Sequence, residues 1–279
     1  MPEFDTPHPV RLRIQAQSGD IDVTAQEATT TTVDVRPGAG DAARELAEQT
    51  TVEQRGDDIV VRVPRRAGSF FRRTPSLDIS VRLPVGSALD AELNAGDLAT
   101  GGSLSTVRVK TGSGDILLDV VTDAADVATG SGDVIVRDSQ GSTRLSTGSG
   151  DIALHAAGAR ATLATGSGDV RVRAAGGPVD IKTGSGDVRV DDAGGDVSIK
   201  SGSGDQQVGR AVRGQVSCQT ASGDVHVGIA DGTAAWLDVH SLTGTVSSQL
   251  GEAGPPSDSQ QTVEVRANTV NGDITVVRA

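Results

Sequence analysis

The chain has 279 residues, a net charge of -12, 36 glycines and only 1% aromatic residues. The acidic charge argues against binding of nucleic acid by the molecule as a whole. Because Cys218 is the one cysteine, an internal disulfide framework and a cysteine-based metal cluster are both excluded. Without aromatic volume, the interior must be thin enough for Val, Ile, Leu, Ala and Thr to fill it.

The first residues, Met1-Pro2-Glu3-Phe4-Asp5, contain neither the basic nor the apolar segment of a signal peptide. No apolar run along the chain approaches the roughly 18 residues that a membrane span requires. We therefore expect a cytoplasmic protein without an integral membrane segment.

Residues 1–95 are predicted to form an irregular, β-rich N-terminal cap. Apolar and polar residues alternate in several short runs, as in Val10-Arg11-Leu12-Arg13-Ile14, which is typical of strands. The stretch 41–49 (DAARELAEQ) is the one convincing helix, with Asp41 as its expected N-cap. A cap is expected here because the end of a strand stack exposes unpaired strand edges.

Within this region, arginines surround two phenylalanines in a segment without acidic residues, which we call the basic loop. It could contact an acidic partner or a membrane surface. Alternatively, it is a solvated connection whose phenylalanines pack against the rest of the fold. The candidate partner-contact residues of the basic loop are Arg65, Arg66, Phe70, Phe71, Arg72 and Arg73.

The dominant feature of the chain is a strict repeat of 18 residues. Aspartate recurs at this spacing, and Gly-Ser-Gly precedes every copy except the first. A period this short and strict predicts that each repeat is one coil stacked on its neighbours. The repeated aspartates are Asp97, Asp115, Asp133, Asp151, Asp169, Asp187 and Asp205.

Each repeat contains two short strands. In 169–186, Val170 and Val172 alternate with polar residues, a turn cluster follows, and Val179 and Ile181 alternate again. Equivalent positions stay apolar from repeat to repeat, so adjacent coils should pair in parallel and in register. We predict an all-β parallel β-solenoid (a single-stranded β-helix), right-handed as most parallel crossovers are. Two strands per coil indicate two facing sheets, although a third short strand would make the coil three-sided.

The Gly-Ser-Gly-Asp motif has a structural and a functional interpretation. In the structural one, glycine adopts positive φ in a tight turn and aspartate accepts hydrogen bonds from nearby backbone N–H groups. In the functional one, the carboxylates bind Ca²⁺ and stabilise a β-roll, although one Asp per coil supplies few oxygen ligands. The Thr column that includes Thr165 and Thr183 is likewise interpreted as structural, next to the turn.

Catalytic motifs are scarce. The histidines His8, His155, His226 and His240 show no zinc spacing, and no nucleophile elbow or phosphate-binding loop is present. Cys218 falls in an inward column and should be an inert core thiol. We expect no enzyme, no catalytic residue, no metal and no cofactor. A carbohydrate-active β-helix, the remaining alternative, would require carboxylates clustered on one face of a groove.

The period decays after Asp205, and the next aspartate of the series is Asp224. We divide the chain into the cap at 1–95, regular solenoid repeats at 96–228, and terminal coils with a C-terminal cap around Trp236 at 229–279. These three parts are expected to form one continuous domain.

The non-repetitive ends carry a family resemblance. The opening Phe4-Asp5-Thr6-Pro7, the repeated Thr-Gly-Ser-Gly-Asp and the stretch Asp231-Gly232-Thr233-Ala234-Ala235-Trp236 resemble bacterial β-strand-repeat proteins of unknown function that are named as adhesins, of the soluble actinobacterial type. The resemblance implies a β-solenoid and no catalytic residues. We expect a non-enzymatic, adhesin-like scaffold that presents flat sheet faces to a protein partner, with homo-oligomers possible through its ends or faces.

Overall fold

The computed structural model describes residues 2–64, 75–250 and 261–279. The chain divides into two compact units, Met1–Gln140 (unit 1) and Gly141–Ala279 (unit 2). Both are built almost entirely from β-strands.

The described residues of unit 1 form twelve strands and one helix. They are β1 (Glu3–Asp5), β2 (Arg11–Ser18), β3 (Ile21–Gln26), β4 (Thr30–Pro37), α1 (Asp41–Gln49), β5 (Thr51–Arg55), β6 (Asp58–Arg62), β7 (Leu77–Pro84), β8 (Ala88–Ala95), β9 (Leu98–Gly101), β10 (Ser103–Ser113), β11 (Ile116–Ser131) and β12 (Val134–Ser139).

Outside residues 251–260, which are not described, unit 2 has fourteen strands. They are β13 (Ser142–Ser149), β14 (Ile152–Ala157), β15 (Ala161–Ser167), β16 (Val170–Ala175), β17 (Val179–Ser185), β18 (Val188–Ala193), β19 (Val197–Ser203), β20 (Gln206–Ala211), β21 (Gly214–Ser222), β22 (Val225–Ile229), β23 (Ala234–Ser241), β24 (Val246–Ser248), β25 (Thr262–Asn271) and β26 (Ile274–Arg278).

In the regular repeats of unit 2 each coil consists of a strand, the Gly-Ser-Gly-Asp turn and a second strand. These coils pair in parallel and in register, so Ile152 lies beside Val170 and Val170 beside Val188. The other strand of each coil behaves alike, with Leu163 beside Ile181. The 18-residue sequence period is therefore a spatial repeat, and the predicted parallel β-solenoid is confirmed. Its right-handedness stays a prediction.

The core is a set of apolar columns, one residue deep, that run across the strands. Val172, Val190, Leu163 and Ile181 are all buried. Each such side chain contributes about 1.5–3 kcal/mol by leaving water, so a coil without aromatic residues is still well stabilised. In β16 the in–out alternation breaks after Val172, where two exposed residues follow one another before the buried Ala175. The strand bends there and closes the coil.

In unit 1 the spatial order of coils differs from their order in the chain. The coil formed by β2 and β3 lies between the coil of β6 and β7 and the coil of β8 and β9. Residues 11–26 thus pair on both edges with strands that follow much later. Further on, β11 runs through a bend, and its first half pairs with β9 and β12 while its second half pairs with β10.

Unit 2 also has an intercalated coil, close to its C-terminal end. The coil of β25 and β26 lies between the coil of β21 and β22 and the coil of β23 and β24. The 18-residue period predicts coils stacked in chain order, and the regular repeats follow that order, whereas at each end one coil is intercalated between two others. Since an intercalated coil is held along two edges, it cannot fray without breaking two hydrogen-bonded ladders.

Antiparallel strands close the end of unit 1. Strand β4 pairs with β7 and β5 pairs with β6, while α1 buries Ala43 and Leu46 against the unit. The helix occupies the predicted residues, but its N-cap is Gly40 and not Asp41. The carboxylate of Asp41 pairs with Arg44 at 3.1 Å and makes no capping bond. No helix among the described residues has the length and apolar character that a membrane crossing requires.

Removing one complete coil, residues 169–186, should leave a shortened but folded molecule. The deletion joins equivalent positions, so Ile152 would pair with Val188 as it now pairs with Val170. Circular dichroism and thermal unfolding should show an unchanged strand signal and one cooperative transition.

The matched control removes residues 169–178, about half a coil. This deletion places Asp180 and Lys182 at the inward positions of Val170 and Val172, so the variant should not fold. Equal behaviour of the two deletions would contradict the stacked-coil architecture.

Candidate functional site

The aspartates of the repeat form a ladder of hydrogen bonds between coils. In each described step, Oδ1 of one aspartate accepts a hydrogen bond from the backbone N–H of the aspartate in the adjacent coil. For example, the N–H of Asp115 donates to Oδ1 of Asp97, and the N–H of Asp169 donates to Oδ1 of Asp151, with N···O distances of 2.8 Å. At the end of unit 2, Asp273 instead accepts from the backbone N–H of Thr245, at 2.7 Å. One carboxylate oxygen per coil is therefore already used by the fold.

The glycine before each aspartate is required by the spacing of the coils. Gly114 has a φ of +127°, and a Cβ atom there would lie 2.1 Å from the carbonyl oxygen of Gly96. The first glycine of the motif is confined as well, since a Cβ at Gly130 would lie 2.5 Å from the carbonyl oxygen of Gly112. The turns thus stack backbone on backbone, which is the structural interpretation of the motif.

The threonine column faces inward and completes the turn. Thr165 and Thr183 are buried, and their hydroxyls donate to turn carbonyl oxygens, as from Thr183 Oγ1 to Ser185 at 3.1 Å. These hydroxyls serve the backbone and are not an outward binding ladder. The structural interpretation of this column is confirmed.

Outward side chains on one face of unit 2 form a shallow trough beside the glycine turns, which we call the Lys200 trough. Lys182, Lys200, Gln219 and Asn268 lie on adjacent strands in exact register. Two adjoining depressions of about 290 and 710 Å³ share Lys200 and Gln219. The trough exists because these side chains stand beside a column that is glycine or alanine in most coils, as at Ala221.

Unit 1 has a related depression of about 450 Å³ at the same column of the repeat. Gln15, Glu92 and Lys110 occupy adjacent strands there, again next to the Gly-turn edge. A surface of this type is thus a property of the repeat and recurs in both units.

The other strand of the coils in unit 2 carries ion pairs, both within a strand and between neighbouring coils. Arg171 and Arg189 both contact the carboxylate of Asp191, the first at 3.3 Å. Burial raises the pKa of Asp191, but hydrogen bonds and charge interactions with Arg189 and Arg171 outweigh it, and the net pKa is lowered. This face therefore has much of its charge internally paired.

Few groups in the described residues have the arrangement of a catalytic or metal site. No group of three or more His, Cys, Asp or Glu side chains comes together in the described ranges. Burial raises the pKa of the Cys218 thiol to about 12, as expected for the inert core cysteine that the sequence predicts. His240 contacts Asp238 at 2.9 Å on the surface.

The residues of the basic loop, Arg65 to Arg73, lie outside the described residues, and their role stays a prediction.

Two features of the site were not predicted from the sequence. The first is that Asp20 also belongs to the aspartate ladder, because its Oδ1 accepts a hydrogen bond from the backbone N–H of Asp97 at 3.2 Å. The sequence Ser18-Gly19-Asp20, which resembles the repeated turn, is the signal that could have shown it. The apolar surface around Trp236 and Leu242 was also missed.

The family model described as Toastrack DUF4097 matches residues 11–178 and 145–277. The chain belongs to this family. The resemblance to bacterial repeat proteins named as adhesins is thereby confirmed, and Toastrack DUF4097 fits the stacked coils described above. No curated protein matches the chain.

Three solved structures similar to this Toastrack DUF4097 protein have low sequence identity. A "Putative lipid binding protein" from Parabacteroides distasonis ATCC 8503 is 13% identical with a TM-score of 0.43, covering 99% of this chain and 96% of its own. A "putative adhesin" from Bacteroides fragilis NCTC 9343 is 11% identical with a TM-score of 0.31, covering 100% and 95%. A "putative cell adhesion protein" from Clostridium sporogenes ATCC 15579 is 9% identical with a TM-score of 0.23, covering 100% and 99%.

Gly114→Ala should destabilise the protein by roughly 3 kcal/mol or more. The substitution combines a strained positive φ with a Cβ atom pressed against the carbonyl of Gly96. Chemical denaturation measures the loss. Gly101→Ala is the matched control, since its Cβ meets nothing within 4 Å, and it should change stability by less than about 1 kcal/mol. Equal losses would show that turn stacking does not require glycine.

Calcium should leave the melting temperature unchanged relative to a chelator. Each ladder aspartate supplies few oxygen ligands for an ion that takes six to eight, and one oxygen already accepts a backbone N–H. If the protein had a Ca²⁺ site, a free Ca²⁺ concentration of 100 times its Kd would raise the free energy of unfolding by about 2.7 kcal/mol. Scanning calorimetry with millimolar Ca²⁺ or EDTA distinguishes the two cases, and a rise of several degrees with Ca²⁺ would support a Ca²⁺-stabilised β-roll.

Proposed function

We propose that the protein is a non-enzymatic, adhesin-like scaffold that binds a protein partner on the sheet face containing the Lys200 trough. The observation that carries this proposal is the register of Lys182, Lys200, Gln219 and Asn268 on adjacent strands. A partner surface laid along the coil axis would meet one polar side chain per coil.

The chemistry of the trough suits a protein surface with acidic and amide groups. Lys182 and Lys200 supply two cations on adjacent coils, while Gln219 and Asn268 can both donate and accept hydrogen bonds. Interfaces of this kind gain specificity from hydrogen bonds at fixed spacing around a small apolar centre. Leu242 and Val270 line one end of the trough and supply such a centre.

The net charge of -12 disfavours nucleic acid as the partner, because phosphate binding requires a positive field. A rigid scaffold also suits recognition better than reaction chemistry. Its aspartates are engaged with backbone N–H groups, and its cysteine is buried. The carbohydrate-active alternative requires clustered carboxylates. The larger depression of the trough has no carboxylate in its lining. In the smaller one, Asp180 pairs with Arg160 and Asp196 accepts a hydrogen bond from the backbone N–H of Gln215.

The triple variant Lys182→Ala/Lys200→Ala/Asn268→Ala should lose at least about tenfold in partner recovery. Three contacts of roughly 0.5–1 kcal/mol each account for this factor. Affinity capture from the native cells with quantitative mass spectrometry measures the recovery against the wild-type protein.

The matched control, Gln207→Ala/His226→Ala, alters neighbouring outward positions on the other strand of the coil and should recover partners as the wild type does. A third arm replaces Arg65, Arg66, Arg72 and Arg73 by Ser. If only this arm loses partners, the contact belongs to the basic loop and the proposed face is wrong.

A further inference from the structure

The end of unit 2 concentrates exposed apolar side chains. Among the described residues five large hydrophobic side chains are exposed, and four of them lie in the last two coils. Three of these side chains belong to the outermost coil, with exposed fractions of 58% for Trp236, 77% for Leu242 and 43% for Val246. The fourth, Val270, lies in β25 of the adjacent coil and is 50% exposed. Such a concentration of exposed apolar side chains at one end points to an interaction site.

The outermost coil also has a free strand edge. Among the described strands β23 pairs only with β25, in parallel from Ala234 to Ser241. Its inward residues Leu237 and Val239 are only half-buried, whereas Val265 and Ala267 beside them in β25 are fully buried. At the end of unit 1, by contrast, antiparallel strands cover the corresponding edges.

The direction of the free backbone groups on β23 follows from its hydrogen bonds. The N–H groups of Ala234 and Leu242 donate to carbonyl oxygens on the β25 side. Because these directions alternate along a strand, the N–H and C=O groups of Leu237, Val239 and Ser241 point to the open edge. An added strand must bond to these odd-numbered residues.

We propose that a second copy of this chain occupies this edge, with β23 of the two copies paired antiparallel about a two-fold axis at Val239. Only pairings between odd-numbered residues satisfy the free backbone groups on both copies. Among these registers, the one centred on Val239 places Asp238 of each copy opposite His240 of the other. A register one step earlier would place Asp238 opposite itself, and like charges directly opposite are destabilising.

The same register matches the apolar residues. Trp236 of one copy lies opposite Leu242 of the other, twice by symmetry, and Leu237 and Val239 become covered by the added strand. In the single chain Asp238 already contacts His240, at 2.9 Å, and lies beside Arg266 of β25. In the dimer the two Asp238–His240 pairs join into one polar group, with each Asp238 carboxylate facing a His240 side chain.

The dimer would share Leu242 with the apolar end of the Lys200 trough. The replaced residues of the trough, Lys182, Lys200 and Asn268, lie on strands other than β23, so the two proposals can still fail separately. The triple variant of the Lys200 trough should dimerise as the wild type does, so it serves as a control here.

Sedimentation velocity over concentrations up to about 100 µM tests the proposal. The wild-type chain should sediment as a dimer in equilibrium with the monomer. Asp238→Lys and His240→Glu should each raise the dissociation constant roughly tenfold. The first removes the carboxylate that faces His240, and the second sets two carboxylates opposite one another at both symmetric positions. The double variant Asp238→Lys/His240→Glu restores opposite charges and should recover the wild-type constant to within about threefold.

Val239→Pro is the backbone test. Proline removes an N–H that points to the open edge and leaves the bonds to β25 in place, so the fold should persist while the dimer is lost. Thermal unfolding checks the fold of this variant, with Val239→Thr as the conservative control. A wild-type monomer throughout the concentration range, or a dimer that is insensitive to both the charge exchange and the proline, would overturn the proposal.

Discussion

Close stacking of one backbone turn on the next is the constraint on which the rest of the structure depends. Glycine at positive φ lets the turn of each coil lie against the carbonyl of the previous one, where no side chain fits. The aspartate that follows then accepts a hydrogen bond from the next coil, for example from Asp187 to Asp169 at 2.8 Å. Together the two residues set the distance and the register between coils. As a result, the apolar side chains at equivalent positions of successive coils align into buried columns.

The arrangement of the outward side chains follows from this constraint. Because the coils stay in register, any outward position becomes a row of side chains at one strand spacing. The glycine column beside the turn leaves the Lys200 trough, whereas the other strand fills its surface with ion pairs such as Arg171–Asp191. A fold of this type changes its surface chemistry through outward residues alone, without altering its core.

The regular part of the fold could be predicted well from the sequence because there the order in the chain is the order in space. The buried columns, such as Leu163, Ile181 and Ile199, follow from periodicity alone. At the ends, coils 77 and 49 residues apart become neighbours, as Asp20 with Asp97 and Asp224 with Asp273. No fixed period reports such pairs, so the intercalated coils could not be found. The exposed apolar end could not be found either, because Leu237 and Val239 have the same pattern as residues that are covered.

The coil of β2 and β3 bears on how the chain is made. It is synthesised early, yet the partners on its two edges, β6 with β7 and β8 with β9, are translated later. Until then its unpaired edges are open to non-native strands, which is the usual origin of misfolding in β proteins. Both edges of this segment are covered only after β9 ends at Gly101, about 75 residues after β3 ends at Gln26. Chaperones that shield unpaired strand edges would act during this interval.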